Sequence, residues 1–397
     1  MPSPDPSSPP PTVFRPAEPA RTEATRETGH RQRQTTNFDL SLDPRYYGLF
    51  GPPLRPGDIG SLARYRVIAL LGEGGMGMVF RAEDVDLGRE VALKVMRPEY
   101  AADRPLQQRF LREARHTAGL QHENVVTVYQ VGEDSGTLFM ALELLQGATL
   151  EQKLGVEQIS LADALRIGRE MACGLAAAHA RGLIHRDVKP DNVWIESPHG
   201  RAKVLDFGLA RPDRDSQILT HAGTVVGTPG YMSPEQSRAE TLDERADVFS
   251  LGCVIYRMVT GYGPFPCRNF EEMCRAFKDS PPRRMSRLND EVPPALDDLV
   301  AGMIEFDRDN RPASAREVAL ALAAIERSLG IDVDLRASLF PVPASGPRAL
   351  PRSAADRLAT EKKSLVARVW PRTTWGLVGA GVLAVALIAV LAFGLLH

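Results

Sequence analysis

The sequence predicts an α+β fold in which a β-rich lobe precedes a helical lobe, with a proline-rich tail before them and an apolar segment after them. Two periodicities carry this prediction. Residues 65–145 contain short runs of alternating apolar and polar side chains with many β-branched residues, which is typical of half-buried strands. From residue 146 to about residue 329 the apolar positions recur with the period of a helix. Strands grouped first and helices grouped afterwards indicate two lobes.

The individual elements follow from the same patterns. The predicted strands span residues 66–71, 77–82, 90–95, 125–131 and 137–144. The predicted helices span residues 105–119, 161–180, 246–260, 269–277, 294–304 and 314–329. These lengths are ordinary for both kinds of element.

Composition narrows the class of protein. The 397 residues are 43% apolar, which is too high for a wholly disordered chain, and they suffice for two or three domains. The formal net charge of −2 gives no electrostatic reason to expect a nucleic-acid partner. The 4 cysteines lack CxxC spacing, so they signal neither a zinc ribbon nor a disulfide framework.

The first 58 residues contain 12 of the 31 prolines and few apolar side chains, so we predict that residues 1–58 are disordered. A small hydrophobic cluster nevertheless occurs within them. It is either a docking segment for a partner or a stretch that packs onto the following domain, and the sequence leaves both open. Its members are Phe38, Leu40, Tyr46, Tyr47, Leu49 and Phe50.

Residues 330–374 read as a basic juxtamembrane linker, and residues 375–396 follow as 22 residues without a charged side chain. A helix of that length spans about 33 Å, enough for a hydrocarbon core of about 30 Å. We therefore predict a single-pass C-terminal anchor in the cell (inner) membrane, with the basic side in the cytoplasm. Gly376, Ala380 and Ala384 keep a small-xxx-small spacing. This spacing allows a homodimer, although alanine is common in any such span.

A glycine-rich loop lies between two predicted strands, from Gly72 to Val79. Its Gly-x-Gly-x-x-Gly spacing also occurs in dinucleotide-binding folds, but those need a helix to begin at the glycines. Here residues 78–82 continue as a strand. Glycines in a hairpin let backbone amides approach phosphate oxygens, whereas a plain flexible turn is the simpler alternative at this point.

Polar residues that suit phosphate chemistry follow in order. Lys94 ends the apolar strand Val91-Ala92-Leu93-Lys94, where its ammonium needs an anion, and Glu113 on the next predicted helix can serve. Downstream, Asp187 and Asn192 lie in the segment His185-Arg186-Asp187-Val188-Lys189-Pro190-Asp191-Asn192, and Asp206 begins Asp206-Phe207-Gly208. These side chains offer hard oxygen ligands for Mg²⁺ and a proton acceptor for a hydroxyl substrate.

Taken in this order, the motifs resemble the eukaryotic-like (Hanks-type) serine/threonine protein kinases in their bacterial, membrane-bound form. The resemblance covers residues 65–329 and rests on all the motifs jointly, with Ser233-Pro234-Glu235 where the family usually has Ala-Pro-Glu. It implies a bilobal protein-kinase fold, with an N-lobe at about 65–145 and a C-lobe at about 146–329. It also implies ATP as phosphoryl donor, Mg²⁺ or alternatively Mn²⁺ as cofactor, and protein substrates.

The resemblance assigns catalytic roles residue by residue. Asp187 would accept or orient the proton of the substrate hydroxyl, and Lys189 would neutralise the transferring phosphoryl group. Lys94 would hold the α- and β-phosphates and pair with Glu113. The metal ligands implied by the resemblance are Asn192 and Asp206.

It also outlines a nucleotide site. Leu142 would be the gatekeeper, and Glu143 and Leu145 would face the adenine through their backbone. Trp194 stands where the family usually has a medium aliphatic residue beneath the adenine, so it would stack on the purine or narrow the pocket. The remaining residues of this site are Leu71, Gly72, Glu73, Gly74, Gly75, Met76, Gly77, Met78, Val79 and Ala92.

Other residues match architectural and regulatory positions of the family. Asp247 would brace the catalytic loop, and Glu235 with Arg311 would form a buried ion pair. Thr228 would contact the catalytic residues. The autophosphorylation sites expected in the activation loop are Thr220 and Thr224.

Three functions are compatible with this resemblance. Because every catalytic position is filled, we expect an active kinase rather than a tethered binding scaffold that only recruits partners. Lys189, two residues after Asp187, and the pair Gly227-Thr228 favour serine and threonine over tyrosine as the acceptor.

Overall fold

The computed structural model describes residues 46, 48–74, 77–101, 103–207, 229–265, 272, 282–331 and 333. The predicted helix at 269–277 and the predicted membrane span at 375–396 lie outside this part of the chain. Among the described residues, no helix has the length and apolarity needed to cross a membrane.

Six of the described strands form one antiparallel sheet in the order β1-β2-β3-β4-β6-β5. Their bounds are β1 Gly60–Leu62, β2 Tyr65–Glu73, β3 Gly77–Asp84, β4 Arg89–Met96, β5 Val128–Asp134 and β6 Thr137–Glu143. Sequence periodicity predicted all of these strands except β1. Strand β5 begins later than predicted, because Val125 instead forms an isolated bridge with Val204.

Successive side chains of a strand face opposite sides of a sheet, and this sheet has a separate apolar core on each side. On β3, Phe80 belongs to one core and Val79 to the other. The outer core contains Tyr46, Leu49, Ile59, Leu62, Tyr65, Val67, Met78, Phe80, Ala82, Val91, Leu93, Val95, Phe139 and Ala141. The inner core is covered by helix α2, Arg104–Ala118, whose first turn is capped by the Asp103 side chain.

The second lobe is helical. Two of its longer helices begin at a serine whose side chain accepts from a free amide of the first turn: Ser160 for α4, Leu161–His179, and Ser314 for α8, Ala315–Ser328. Helix α4 packs between α6, Arg245–Thr260, and α8, and the buried sides of α4 and α6 form most of the core of this lobe. The described helices besides α2 are α1 Pro98–Ala101, α3 Leu150–Val156, α4 Leu161–His179, α5 Pro234–Ser237, α6 Arg245–Thr260, α7 Pro294–Met303 and α8 Ala315–Ser328.

A small antiparallel sheet joins the lobes. It consists of β7 Gly147–Thr149, β8 Val193–Glu196 and β9 Ala202–Val204, which the sequence periodicity did not predict. Asn124, in the loop after α2, anchors this sheet to the first lobe: its side chain donates to Ala202 O at 3.0 Å and its carbonyl accepts from Val204 N at 2.8 Å. Gly174 of α4 lies so close that an added Cβ would be 2.7 Å from Asn124 O. The loop therefore fixes β9, and the segment that follows it, relative to both lobes.

Candidate active site

Residues 185–192, between α4 and β8, bring three of the predicted catalytic side chains together. Lys189 Nζ lies 2.8 Å from Asp187 Oδ2, and Asn192 Nδ2 donates to the same oxygen at 2.9 Å. Asn192 Nδ2 also donates to the Asp187 carbonyl at 2.8 Å. The Asp187 side chain keeps 26% of its surface exposed, so a hydroxyl substrate can reach it.

This loop is held from below by Asp247 of α6, which is only 1% exposed. The Asp247 carboxylate accepts from the backbone amides of His185 at 2.7 Å and Arg186 at 2.8 Å. His179 Nε2 donates to it at 2.7 Å. Burial opposes the charged form, but the hydrogen bond from His179 and the nearby imidazoles outweigh it, so the pKa of Asp247 lies below its ordinary value.

Arg186 shows why the loop needs such support. Its φ is +67°, in the left-handed region that costs a residue with a side chain about 1 kcal/mol or more. Asp247 accepts from its amide, and Gln236 Nε2 of α5 donates to its carbonyl at 2.7 Å. Bonds on both sides of this residue hold the strained backbone that presents Asp187. The sequence predicted the role of Asp247 but not that of Gln236, since nothing near Gln236 indicates its distant partner.

A second cluster joins the two lobes. Lys94 on β4 lies beside Val79 of β3, and its Nζ is 2.7 Å from Asp206 Oδ1. Asp206 also has a positive φ, +46°. The expected partner of Lys94 was Glu113, whose side chain lies outside the described part of the chain, so that pairing stays a prediction.

Backbone and imidazole contacts connect the two clusters. Leu205 N donates to Asn192 O at 2.9 Å, and His185 Nε2 donates to Leu205 O at 2.7 Å. The His185 ring also packs on Phe207 with centroids 4.8 Å apart. Asp206 is therefore tied to the loop that carries Asp187 and Asn192.

The donor set fits Mg²⁺. Asn192 uses its amide nitrogen on Asp187, which leaves the amide oxygen as its possible ligand, and Asp206 contributes a carboxylate that is 42% exposed. The described residues contain no cluster of three acidic, histidine or cysteine side chains suited to a metal. Mg²⁺ usually needs only one or two carboxylates, because waters and substrate phosphates complete its shell.

The glycine loop is a hairpin between β2 and β3. Gly74 N donates to Gly77 O at 2.9 Å, and Glu73 pairs with Met78 and Gly72 with Val79 in the strand register. An added Cβ on Gly77 would lie 2.8 Å from Val95 O, so only glycine allows β3 to approach β4 there. Gly75 and Met76, at the tip, lie outside the described residues. Arg97 Nε donates to Gly74 O at 3.1 Å, a contact that the motif did not predict.

Only some of the residues predicted to line the adenine site lie close together in the structure. The inner core contains Ala92 and Leu142, with Val79 and Leu145 half-buried against it, whereas Leu71 is 52% exposed and lies outside that core. Trp194 on β8 is half-buried. Its indole Nε1 donates to Gln146 O at 3.1 Å, just after the predicted hinge.

Sequence reasoning missed an ion pair behind this hinge. Lys203 of β9 places its Nζ 2.8 Å and 3.0 Å from the two carboxylate oxygens of Glu143 at the end of β6. Thr127 N also donates to this carboxylate, at 3.3 Å. Lys203 is three residues before Asp206, but the sequence carries no signal for its partner 60 positions away.

Two polar clusters hold the described segment that begins at residue 229. Arg311 donates to both carboxylate oxygens of Glu235, at 2.7 Å and 2.9 Å, and both side chains are buried. Arg257 of α6 donates to Tyr231 Oη at 2.6 Å and pairs with Glu151 at 2.7 Å. Burial raises the pKa of Tyr231 to about 12, so it stays a phenol at neutral pH. The expected positions Thr220, Thr224 and Thr228 lie outside the described residues.

Comparison with known proteins agrees with this geometry. Residues 65–321 match the protein kinase domain family. The chain is 39% identical over 295 residues to serine/threonine-protein kinase PknL of Mycobacterium tuberculosis, covering 74% of this chain and 72% of PknL. It is 37% identical to serine/threonine-protein kinase pkn3 of Myxococcus xanthus but spans only 50% of its length. The Mycobacterium tuberculosis PknI kinase domain superposes with a TM-score of 0.54 at 28% identity, covering 69% of this chain and 99% of that domain.

Proposed function

This chain belongs to the protein kinase family, among its serine/threonine kinases, and we propose that it phosphorylates serine and threonine hydroxyls of cytoplasmic proteins while anchored in the cell membrane. The observation that carries the catalytic part is the contact of Asp187 with both Lys189 and Asn192. A carboxylate so placed can orient a hydroxyl and take its proton.

The transfer follows from these positions. The substrate oxygen forms a bond to the γ-phosphorus of ATP while the bond from that phosphorus to the β-phosphate oxygen breaks, and ADP leaves. Asp187 receives the hydroxyl proton, and the Lys189 ammonium beside it offsets the charge of the transferring group. Lys94 and the glycine-loop amides hold the remaining phosphates. Mg²⁺, held by Asn192 and Asp206, would supply further charge neutralisation.

The experiment that tests this proposal incubates the purified full-length chain with ATP, Mg²⁺ and a protein substrate. Mass spectrometry then locates the incorporated phosphate. Asp187→Asn should abolish transfer without unfolding the chain, whereas Asp298→Asn, an exposed acid on α7, should retain the wild-type rate. Phosphate on tyrosine alone would contradict the acceptor class. Nucleotide binding without transfer in the wild-type chain would favour the scaffold function.

The nucleotide site includes Trp194 in this proposal. Trp194 is on β8, the strand that follows Asn192, and its indole is held by the hydrogen bond to Gln146 O. The side chain is therefore suited to limit the space beneath the purine. Trp194→Leu should change KM for ATP at least about threefold, while KM for the protein substrate stays constant. Equal KM values for ATP would remove Trp194 from the site.

We extend the proposal to activation by autophosphorylation of Thr220 and Thr224. Arg186, next to Asp187, is a suitable cation, since a phosphate adds about −1.5 to −2 charge and guanidinium binds it bidentately. The recombinant chain should carry phosphate on one or both threonines, and the double alanine variant should lose most activity. An unchanged rate in that variant would contradict this regulation.

Membrane attachment through residues 375–396 is the final part of the proposal, supported by their length and lack of charge. Deleting residues 375–397 should move the chain from membrane to soluble fractions without loss of catalysis. Protease added to intact cells should leave the kinase domain uncut; digestion would mean the opposite orientation. Crosslinking before and after the deletion tests whether this segment also supports a homodimer.

A further inference from the structure

The N-terminal strap, which we define as residues 46–59, lies across the outer core of the first lobe. The structure describes all of it except Tyr47. Tyr46 and Leu49 are each only 6% exposed, and Ile59 is 4% exposed. The described part of the strap is therefore folded onto the lobe, so the prediction of disorder over residues 1–58 is wrong for residues 48–58. Of the predicted hydrophobic cluster, Tyr46, Leu49 and Phe50 pack onto the following domain, whereas Phe38, Leu40 and Tyr47 lie outside the described residues.

Backbone hydrogen bonds fix the strap to the edge of the sheet. Gly51 and Ser61 exchange two of them, with Gly51 N donating at 2.7 Å and Ser61 N at 3.1 Å. Thr137 Oγ1 of β6 donates to Leu49 O at 3.4 Å. An added Cβ on Gly60 would lie 2.7 Å from both Gly51 O and the Phe50 Cβ, so glycine is needed for this close approach.

The strap centres on one aromatic side chain of β3. Phe80 is fully buried, and the rings of Tyr46 and Phe50 meet it edge to face at 5.6 Å and 5.0 Å. Edge-to-face pairs define ring positions as well as burying area. The strap thus locates Phe80 from two directions.

Phe80 lies directly behind the phosphate-handling residues. It pairs with Leu93 in the β3–β4 register, and the next pair is Val79 with Lys94. Because side chains alternate, Phe80 and Leu93 face the strap while Val79 and Lys94 face the opposite side. Gly77, three residues before Phe80, ends the glycine loop on the same strand. A shift of β3 relative to β4 would therefore displace the loop relative to Lys94.

We propose that the N-terminal strap is a positioning element for ATP: by packing on Phe80 it holds the glycine loop and Lys94 in the register that binds the phosphates. Tyr46 and Phe50 are its positioning residues. They lie on the side of the sheet away from the nucleotide, so they act through β3 and β4. This inference rests on the proposed kinase function.

The experiment separates positioning from stability. In the full-length chain, Tyr46→Ala and Phe50→Ala are compared with Val318→Ala, which shortens a buried side chain of α8 in the other lobe. Kinetics are measured at a temperature where all variants are folded by circular dichroism. The strap variants should raise KM for ATP about fivefold or more, and their KM for the protein substrate should stay within about twofold of the wild-type value. Val318→Ala should change neither KM. Tyr46→Phe should restore the wild-type KM, since the ring contact remains.

Two outcomes would overturn the proposal. One is an unchanged KM for ATP in both strap variants, which would reduce the strap to a stabilising segment. The other is an equal rise of KM in Val318→Ala. If Asp187→Asn retained turnover, the kinase assignment itself would fail, whereas loss of the strap effect alone leaves that assignment intact.

Discussion

Replacing Arg311 should destabilise the helical lobe more than replacing any exposed arginine near it. Its guanidinium is fully buried and donates to both oxygens of Glu235, which is itself 2% exposed. It also donates to three carbonyls, those of Arg245, Glu305 and Phe306. Arg311→Ala leaves a buried carboxylate without this cation, and such a break costs about 3–5 kcal/mol. That is a large part of the about 5–15 kcal/mol that stabilises a typical domain.

Urea denaturation of the full-length chain, followed by circular dichroism, measures this loss as a lower midpoint. Arg308→Ala is the matched control, because its side chain is 35% exposed and lies 3.8 Å from Asp243, so about 1 kcal/mol or less is expected. Replacing both partners, Glu235→Leu with Arg311→Met, should recover much of the loss, since no buried charge is left alone. A loss below about 1 kcal/mol in Arg311→Ala would refute the reasoning that an unpaired Glu235 carries the cost.

Further predictions concern contacts that position the site. Lys203→Ala leaves the Glu143 carboxylate without its cation and should lower the thermal midpoint of unfolding. The double variant Lys203→Ala with Glu143→Gln should lower this midpoint less, because no carboxylate is left unpaired. Equal losses in the two variants would contradict this explanation. Asp247→Asn cannot accept from both loop amides, so kcat should fall at least about tenfold with little change in KM. Because the pKa of Asp247 is lower in the folded than in the unfolded protein, its carboxylate contributes fully to stability at pH values above the ordinary carboxyl pKa of about 4. This contribution is lost as the pH falls through the lower pKa of the folded state. Melting curves from pH 2.5 to 7 should show less acid destabilisation from this group in Asp247→Asn. Arg97→Ala removes the hydrogen bond to the Gly74 carbonyl in the glycine loop, so it should raise KM for ATP but not KM for the protein substrate.

The secondary structure was largely readable from local pattern. The strands β2, β3, β4 and β6 and the helices α2, α4 and α6 lie within two residues of their predicted bounds, because their apolar faces repeat with the period of the element. Strands β7, β8 and β9 are only three or four residues long, too short to show a period. The strap was ambiguous because its aromatic residues stand in a proline-rich stretch, where composition favours disorder.

The amino-acid sequence alone was enough to predict the cluster of Asp187, Lys189 and Asn192, since its ends are five positions apart and local chain geometry keeps them close. The contacts of Lys94 with Asp206 and of Lys203 with Glu143 depend on how the lobes and sheets fold together. The packing of Tyr46 behind β3, the strand on which the glycine loop ends, depends on the fold in the same way. These partners are far apart in sequence, and sheet order and register bring them together. A periodic pattern says which face of an element is buried, but not which other element covers that face.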